Sequence, residues 1–258
     1  MNVGRSAGVQ QLVKDGTVNE AAGLRVVVPR STVLRRLIPL MVVIGVASMI
    51  GQLVRLWRSP DGAVGFLITM ADVDAERTYP TWFQVVVLGL ASAALWTVAK
   101  QVRMHGLPGH VAWRLLAAVF LYLSADEGLR LHDRARGPLS RLNLGGVLYF
   151  SWVLVAVPLL VVLGVVLLPW LRALPRPTLT RFMIAGAVYV GGAVGLEMIG
   201  GALYESGSGD SLPYVLGATL EETMEMVGVA LLFLGVADFR RRVLGAAHHR
   251  EQVLAPTS

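Results

Sequence analysis

Six long apolar segments, separated by short polar stretches, constrain the fold of this 258-residue chain more than any other feature. A bilayer's hydrocarbon core is about 30 Å thick, and a helix needs about 20 apolar residues to cross it. An α-helix also bonds all its backbone groups within the segment, as the lipid interior requires. The sequence therefore predicts an all-α, polytopic membrane bundle of six transmembrane helices, at residues 37–57, 82–102, 111–132, 147–171, 182–204 and 212–239.

The composition supports a membrane protein and excludes several other classes. Apolar residues make up 55% of the chain and charged residues 16%, whereas a soluble domain usually carries about 25% charged residues. The chain has no cysteine, which excludes disulfides, thiolate catalysis and cysteine zinc sites. Its net charge of +6 comes mostly from basic residues near span ends. We therefore expect contact with the bilayer and its anionic lipids, and none with nucleic acid.

The basic residues that flank the segments predict the orientation. They lie before the first span, in the second and fourth loops, and after the sixth span, which are all on one side of a six-span bundle. The positive-inside rule places that side, and both termini, in the cytoplasm. Residues 1–36 are then a polar cytoplasmic tail that we expect to be mobile, and they contain no apolar region of a signal peptide. Residues 37–239 form the membrane domain, and residues 240–258 form a basic cytoplasmic tail.

The third loop departs from this charge pattern. It should face the exterior, yet several arginines lie in or beside it. Either the basic residues of the other loops set the orientation despite this loop, or its arginines neutralise nearby acids or hold an anionic group. The sequence leaves both interpretations open. The residues concerned are Arg130, Arg134, Arg136 and Arg141.

Carboxylates within three of the spans give the clearest indication of function. An ionisable residue at bilayer depth costs about 2.5–3.5 kcal/mol on insertion scales, so its presence indicates a functional site. At about 1.5 Å per residue, the acids of the third, fifth and sixth spans reach a common level in the exterior half of the bilayer. These acids are Asp126 and Glu127, then Glu197, and then Glu221, Glu222 and Glu225.

The helical faces that carry these acids are rich in small residues, which let helices approach closely. We predict that both faces turn into the bundle, toward each other and toward the third span. The face of the fifth span comprises Gly186, Val190, Ala193, Glu197 and Gly201, and that of the sixth comprises Gly217, Ala218, Glu221, Glu225 and Gly228.

Two further features leave alternatives open. In an ideal α-helix His132 lies about 140° from Glu127, so it is either an interfacial histidine or is brought closer by a π-bulge near Gly128. The acidic stretch Asp72, Asp74 and Glu76 is either a solvated loop or one that folds over the exterior mouth of the bundle and contributes ligands.

Several carboxylates at close range in a low dielectric must share protons, pair with arginine or bind a cation. We favour a divalent metal that activates water for hydrolase- or transferase-type chemistry on a membrane substrate. The alternatives are a proton-coupled cation transporter and a non-catalytic subunit of a membrane complex or homo-oligomer. The candidate catalytic residues are Glu222 and Glu127, and the candidate metal ligands are Glu127, Glu197, Glu221, Glu225, Asp126 and His132.

Two motifs carry a resemblance to a known family. The stretch Phe120–Glu127 ends in Ser-Ala-Asp-Glu and is followed by His132, and the stretch Leu220–Met226 reads Leu-Glu-Glu-Thr-Met-Glu-Met. Together they resemble an uncharacterised family of bacterial multi-pass membrane proteins, over most of the chain after Asp72. The resemblance implies a location in the bacterial inner membrane and implies no activity.

Overall fold

The structure is a computed structural model that describes residues 25–132, 134, 139–209 and 211–246. Within these ranges the chain is helical and has no β-strand, which confirms the predicted all-α class. Most of the two tails and residues Asp133, Arg136 and Asp210 lie outside the described residues.

The described ranges contain seven helices of ten or more residues. Two of them continue through a wider π-type turn, at Val33–Leu37 and Gly191–Leu196, and the last is followed by another at Arg240–Leu244. In chain order the helices are α1 (Arg30–Arg58), α2 (Gly62–Ala71), α3 (Tyr79–Met104), α4 (His110–Leu129), α5 (Val153–Ala173), α6 (Arg176–Glu205) and α7 (Leu212–Phe239).

The predicted spans correspond to α1, α3, α4, α5, α6 and α7. Helix α1 begins at Arg30, before the predicted start, and α5 begins at Val153, after a short 3-10 turn at Gly146–Leu148. Helix α4 ends at Leu129 and not at His132, because Arg130 adopts a left-handed conformation with φ 55° that stops the helix.

Helices α1, α3, α5 and α6 are long and apolar enough to cross a membrane. This finding supports a membrane protein. Helices α4 and α7 are 20 and 28 residues long and continuous, but charged residues interrupt their apolar sequence. The acids that interrupt them are the same ones that indicate a functional site.

Helix α7 lies at the centre of the bundle and packs against α1, α3 and α6, while α4 packs along α3. The α7 side chains Met226, Val229 and Phe233 are buried in the core. By contrast, α5 turns large apolar residues such as Val162 and Val165 outward. An outward apolar face of this kind is what lipid contact requires.

At the end of the bundle that carries the basic residues, one aromatic cluster and one buried carboxylate hold the helices together. The Trp113 ring lies 4.7 Å from the Phe239 ring, measured between centroids. The Asp238 carboxylate accepts a hydrogen bond from Arg242 Nε at 2.9 Å and forms an ion pair with Arg181, whose Nη1 lies 2.9 Å away. Buried carboxylates persist when they are paired and hydrogen-bonded in this way.

Helix α2 was not predicted, because ten apolar residues are too few to span a bilayer and the segment was interpreted as loop. It folds back against the last turns of α1, where Ile68 lies against Gly51 and Arg55 Nη2 donates to Thr69 Oγ1 at 3.3 Å. The chain then enters the loop Asp72–Thr78, which leads into α3.

Candidate functional site

The structure brings acids from four parts of the chain together, and we call this group the acid cluster. Glu221 interacts electrostatically with Glu197, Glu225 and Asp74. Glu222 does so with Glu225 and Glu127. The acid cluster therefore comprises one residue of α4, one of α6, three of α7 and one of the loop that precedes α3, namely Glu127, Glu197, Glu221, Glu222, Glu225 and Asp74.

Helix α7 supplies half of the acid cluster from two adjacent turns. Glu221 and Glu225 are four residues apart and therefore share a face, with Glu222 beside them. Glu225 is buried, at 9% relative exposure, and its Oε2 accepts from the side-chain amide of Gln84 at 3.1 Å. The same amide lies 3.5 Å from Glu222 Oε2. A neutral amide thus lies against both carboxyl groups and supplies no positive charge to them.

Glu197 follows directly on the π-type turn Gly191–Leu196 of α6. Its Oε1 accepts from the indole Nε1 of Trp152 at 2.9 Å. The indole is again a neutral donor, so it orients the carboxylate without supplying positive charge. Single π-type turns inside α-helices are frequent at functional sites, because the extra residue re-aims the side chains that follow.

Glycines bring α6 and α7 close together beside the acid cluster. A Cβ on Gly192 would lie 2.8 Å from the carbonyl oxygen of Glu221, and one on Gly228 would lie 2.7 Å from the Cβ of Tyr189. The predicted small-residue face of the fifth span was therefore partly wrong. Gly186 has no neighbour within 4 Å of its added Cβ, because the π-type turn shifts the packed face to Gly192.

Asp126 and His132 form a pair at the end of α4. His132 Nδ1 lies 2.9 Å from Asp126 Oδ2, and the backbone N–H of His132 donates to Asp126 Oδ1 at 2.8 Å. The pair forms because α4 stops at Leu129 and the chain turns through Arg130. Of the two alternatives for His132, the π-bulge near Gly128 is not found, since α4 is regular α-helix up to Leu129. A chain reversal, and not a wider helical turn, carries His132 to where it interacts electrostatically with Glu127.

The Asp72–Thr78 loop lies against the bundle and contributes Asp74 to the acid cluster. Thr78 Oγ1 donates to the carbonyl of Asp72 at 2.9 Å, and Glu76 forms an ion pair with Arg130, whose Nε lies 2.9 Å from Glu76 Oε1. Asp74 still reaches solvent, but it interacts with Glu197. Desolvation by burial, with the carboxylates of Asp72, Glu197 and Glu76, raises the pKa of Asp74 to about 6.

Arg130 therefore pairs with Glu76 of the Asp72–Thr78 loop. Neutralising a nearby acid is one of the roles considered for the arginines of the third loop. Arg134 is exposed. The described residues contain no group of three or more histidine, aspartate or glutamate side chains arranged so that they could hold a metal ion. The predicted ligands are thus near one another without forming a coordination shell, and their role as ligands stays a prediction.

Three polar or aromatic side chains of the site were missed from sequence. Gln84 and Trp152 donate to the carboxylates, and Tyr189 interacts with Glu225. For Gln84 a signal existed in the sequence. The predicted second span, at residues 82–102, contains two amide side chains, and only Gln84 is far from its cytoplasmic end, where Gln101 lies. Trp152 and Tyr189 carried no such signal, since aromatic residues are common in apolar spans.

Long apolar helices that hold carboxylates within the bundle define the class of this chain as an α-helical membrane protein. The chain belongs to the family described as Domain of unknown function (DUF8692), which matches residues 37–239. This agrees with the uncharacterised family that its motifs resemble. Comparisons with curated proteins and with solved structures gave no match.

Proposed function

We propose that this chain is a six-span inner-membrane protein of bacteria whose acid cluster binds a divalent metal ion. The metal would serve hydrolase- or transferase-type chemistry on a membrane substrate. The central position of α7 supports the six-span arrangement, because it packs among helices α1, α3 and α6 that can each cross a membrane. Helix α4 packs along α3 and therefore crosses beside it. In this proposal the basic side of the bundle faces the cytoplasm, and both termini lie there as the charge pattern predicts.

The observation that carries the metal proposal is the pair of Asp126 and His132. A metal-binding histidine almost always holds its second ring nitrogen against a carboxylate or a carbonyl, which fixes the ring and raises its basicity. Here Asp126 occupies Nδ1, so Nε2 is the nitrogen that would bind. His132 also interacts electrostatically with Glu127 and Glu225 of the acid cluster. We therefore assign Asp126 the role of orienting His132 instead of binding the metal itself.

Oxygen ligands with one imidazole suit Mn²⁺, Fe²⁺ or Zn²⁺. In this proposal Glu127, Glu197, Glu221 and Glu225 join His132 as ligands, after small side-chain movements that gather their oxygens. A bound metal supplies a water of lowered pKa for attack on the substrate. Glu222 interacts electrostatically with Glu127, so Glu222, together with the oxygen of Glu127 that is not bound to the metal, would take up or deliver the proton of that water.

A second candidate is a proton-coupled cation transporter, which the neutral donors of the site favour. Gln84 and Trp152 hold the carboxylates in place without fixing their charge, so each carboxylate can exchange a proton for a cation. The two candidates share the cation site and differ in what happens next. Cation-dependent proton flux in liposomes, abolished by Glu225→Gln, would favour the transporter.

Metal analysis tests the proposal most simply. Protein purified without chelator should contain close to one metal ion per chain, and Glu225→Gln and His132→Ala should lose most of it. Glu205→Gln is the matched control, because Glu205 is an exposed acid that bonds the backbone of Gly146 outside the acid cluster. Equal metal content in wild type and all three variants, or none in wild type after loading with Mn²⁺, would refute the metal site.

Cysteine labelling tests the orientation independently, since the chain has no native cysteine. Cysteine at Ser208, in the loop between α6 and α7, should react with an impermeant maleimide in intact cells. Cysteine at Ser258 should react only after the membrane is broken. The opposite pattern would place the acid cluster toward the cytoplasm.

A further inference from the structure

The segment between the first two spans contains the short helix α2, whose outward side chains are apolar and uncovered. Val64, Phe66 and Leu67 are 57%, 59% and 60% exposed. The helix Gly62–Ala71 carries no charged residue. Large contiguous apolar surfaces are rare where protein meets water, so this face requires an occupant.

Helix α2 runs back along α1 toward the middle of the bundle. Ile68 lies beside Gly51, and farther along the chain the backbone N–H of Val73 donates to Ser48 Oγ at 3.0 Å, nearer the middle of α1. Ser48 lies ten residues before the end of α1, which is about 15 Å along the helix axis. The ten residues of α2 cover about the same distance in the opposite direction.

The loop that follows α2 has the protection that irregular backbone needs at membrane depth, where it must be buried in protein. Asp72, Val73 and Thr78 are 4%, 5% and 1% exposed. Besides the bond from Val73 to Ser48, the carbonyl of Asp72 accepts from Thr78 Oγ1 at 2.9 Å and that of Ala75 accepts from Thr81 Oγ1 at 3.2 Å. These bonds hold the buried residues of the loop against α1 and the start of α3.

We propose that α1 and α2 form a helical hairpin in which α2 turns back into the membrane, and that the acyl chains of membrane lipids cover Val64, Phe66 and Leu67. Lipid is the occupant because α2 packs on α1, which is long and apolar enough to cross a membrane and whose side chains Val46 and Ile50 are also apolar and exposed. The hairpin explains how the Asp72–Thr78 loop reaches the acid cluster from within the membrane. The inference does not depend on which cation the acid cluster binds.

Site-directed spin labelling tests this proposal in the full-length protein reconstituted in phosphatidylcholine and phosphatidylglycerol liposomes. The variants are Val64→Cys, Phe66→Cys and Leu67→Cys, and three positions keep the test usable if one variant fails to fold. Leu159→Cys on α5 provides a control for an exposed apolar side chain within a span, and Ser206→Cys provides a control for an exposed loop. Collisions with oxygen report lipid, and collisions with a nickel chelate report water.

The three α2 labels should resemble the α5 control, with more oxygen than nickel collisions. The label at Leu67 should lie about 4–5 Å deeper than the one at Val64, because α2 descends at 1.5 Å per residue. Equal depths would indicate a helix that lies flat on the membrane and would overturn the insertion of α2 into the membrane. Labels that resemble the loop control, or that are immobile and reached by neither reagent, would overturn lipid as the occupant in favour of water or a protein partner.

Discussion

Replacing Gly228 by alanine tests the close packing of α6 on α7 beside the acid cluster. The new Cβ would lie 2.7 Å from the Cβ of Tyr189 and 2.9 Å from that residue's backbone N and Cα. Backbone atoms cannot rotate away, so the helices must separate by roughly 1 Å to restore ordinary van der Waals distances. This separation would also move Tyr189 away from Glu225, with which it interacts.

The size of the effect follows from two opposing terms. Overpacking of this kind costs about 1–3 kcal/mol. Alanine is favoured over glycine within a helix by about 1 kcal/mol, which offsets part of that cost. Gly217→Ala is the matched control on the same helix, because its added Cβ has no neighbour within 4 Å and only the favourable term applies.

Thermal unfolding in detergent measures the difference. We expect Gly228→Ala to be less stable than Gly217→Ala by about 1–3 kcal/mol, the overpacking cost alone. At 2–4 °C per kcal/mol for a chain of this size, the melting temperatures should differ by several degrees. Equal melting temperatures for the two variants would refute the packing described for α6 and α7.

Three further predictions concern single side chains. Between about pH 4 and pH 6, Asp74 keeps a proton in the folded state that it loses in the unfolded chain, so the protein becomes less stable as the pH rises through that window. Asp74→Asn should flatten the pH dependence of the melting temperature in that window, and an unchanged profile would contradict this. Asp238→Asn weakens its bonds to several arginines and should destabilise the protein by about 1–3 kcal/mol, measured by thermal unfolding; an unaltered melting temperature would show that these ion pairs add nothing. Trp152→Phe removes the hydrogen-bond donor to Glu197 and should lower the stability by about 1–3 kcal/mol in the same measurement. An unchanged melting temperature would contradict this and show that the carboxylate finds another partner.

Much of the fold could be predicted because hydropathy and helix length are local properties of the sequence. The apolar segments locate α1 and α3–α7, and a rise of 1.5 Å per residue places Glu197 and Glu221 at one level. Helix α2 could not be predicted in the same way. Its ten residues match the length of a loop or a core helix, and its fold-back depends on contacts with Gly51 and Ser48 that only the tertiary structure shows.

The candidate site was predictable in its residues but less so in its geometry. Ideal α-helical periodicity assigns Gly186 to the packed face, whereas the π-type turn Gly191–Leu196 brings Gly192 into contact instead. Similarly, His132 meets Asp126 because Arg130 ends the helix in a left-handed conformation. Arginine rarely adopts that conformation, so no sequence rule would place the reversal there.

The melting temperature of metal-stripped protein, with and without Mn²⁺ added back, tests the proposed cation site most directly. A ligand that binds only the folded state at 100 times its dissociation constant adds about 2.7 kcal/mol, which is several degrees. We expect wild type to gain this stability from Mn²⁺ and Glu225→Gln to gain little of it. If shared protons neutralise the acid cluster instead, wild type will melt at the same temperature with and without Mn²⁺, and Glu225→Gln will be as stable as wild type or more so.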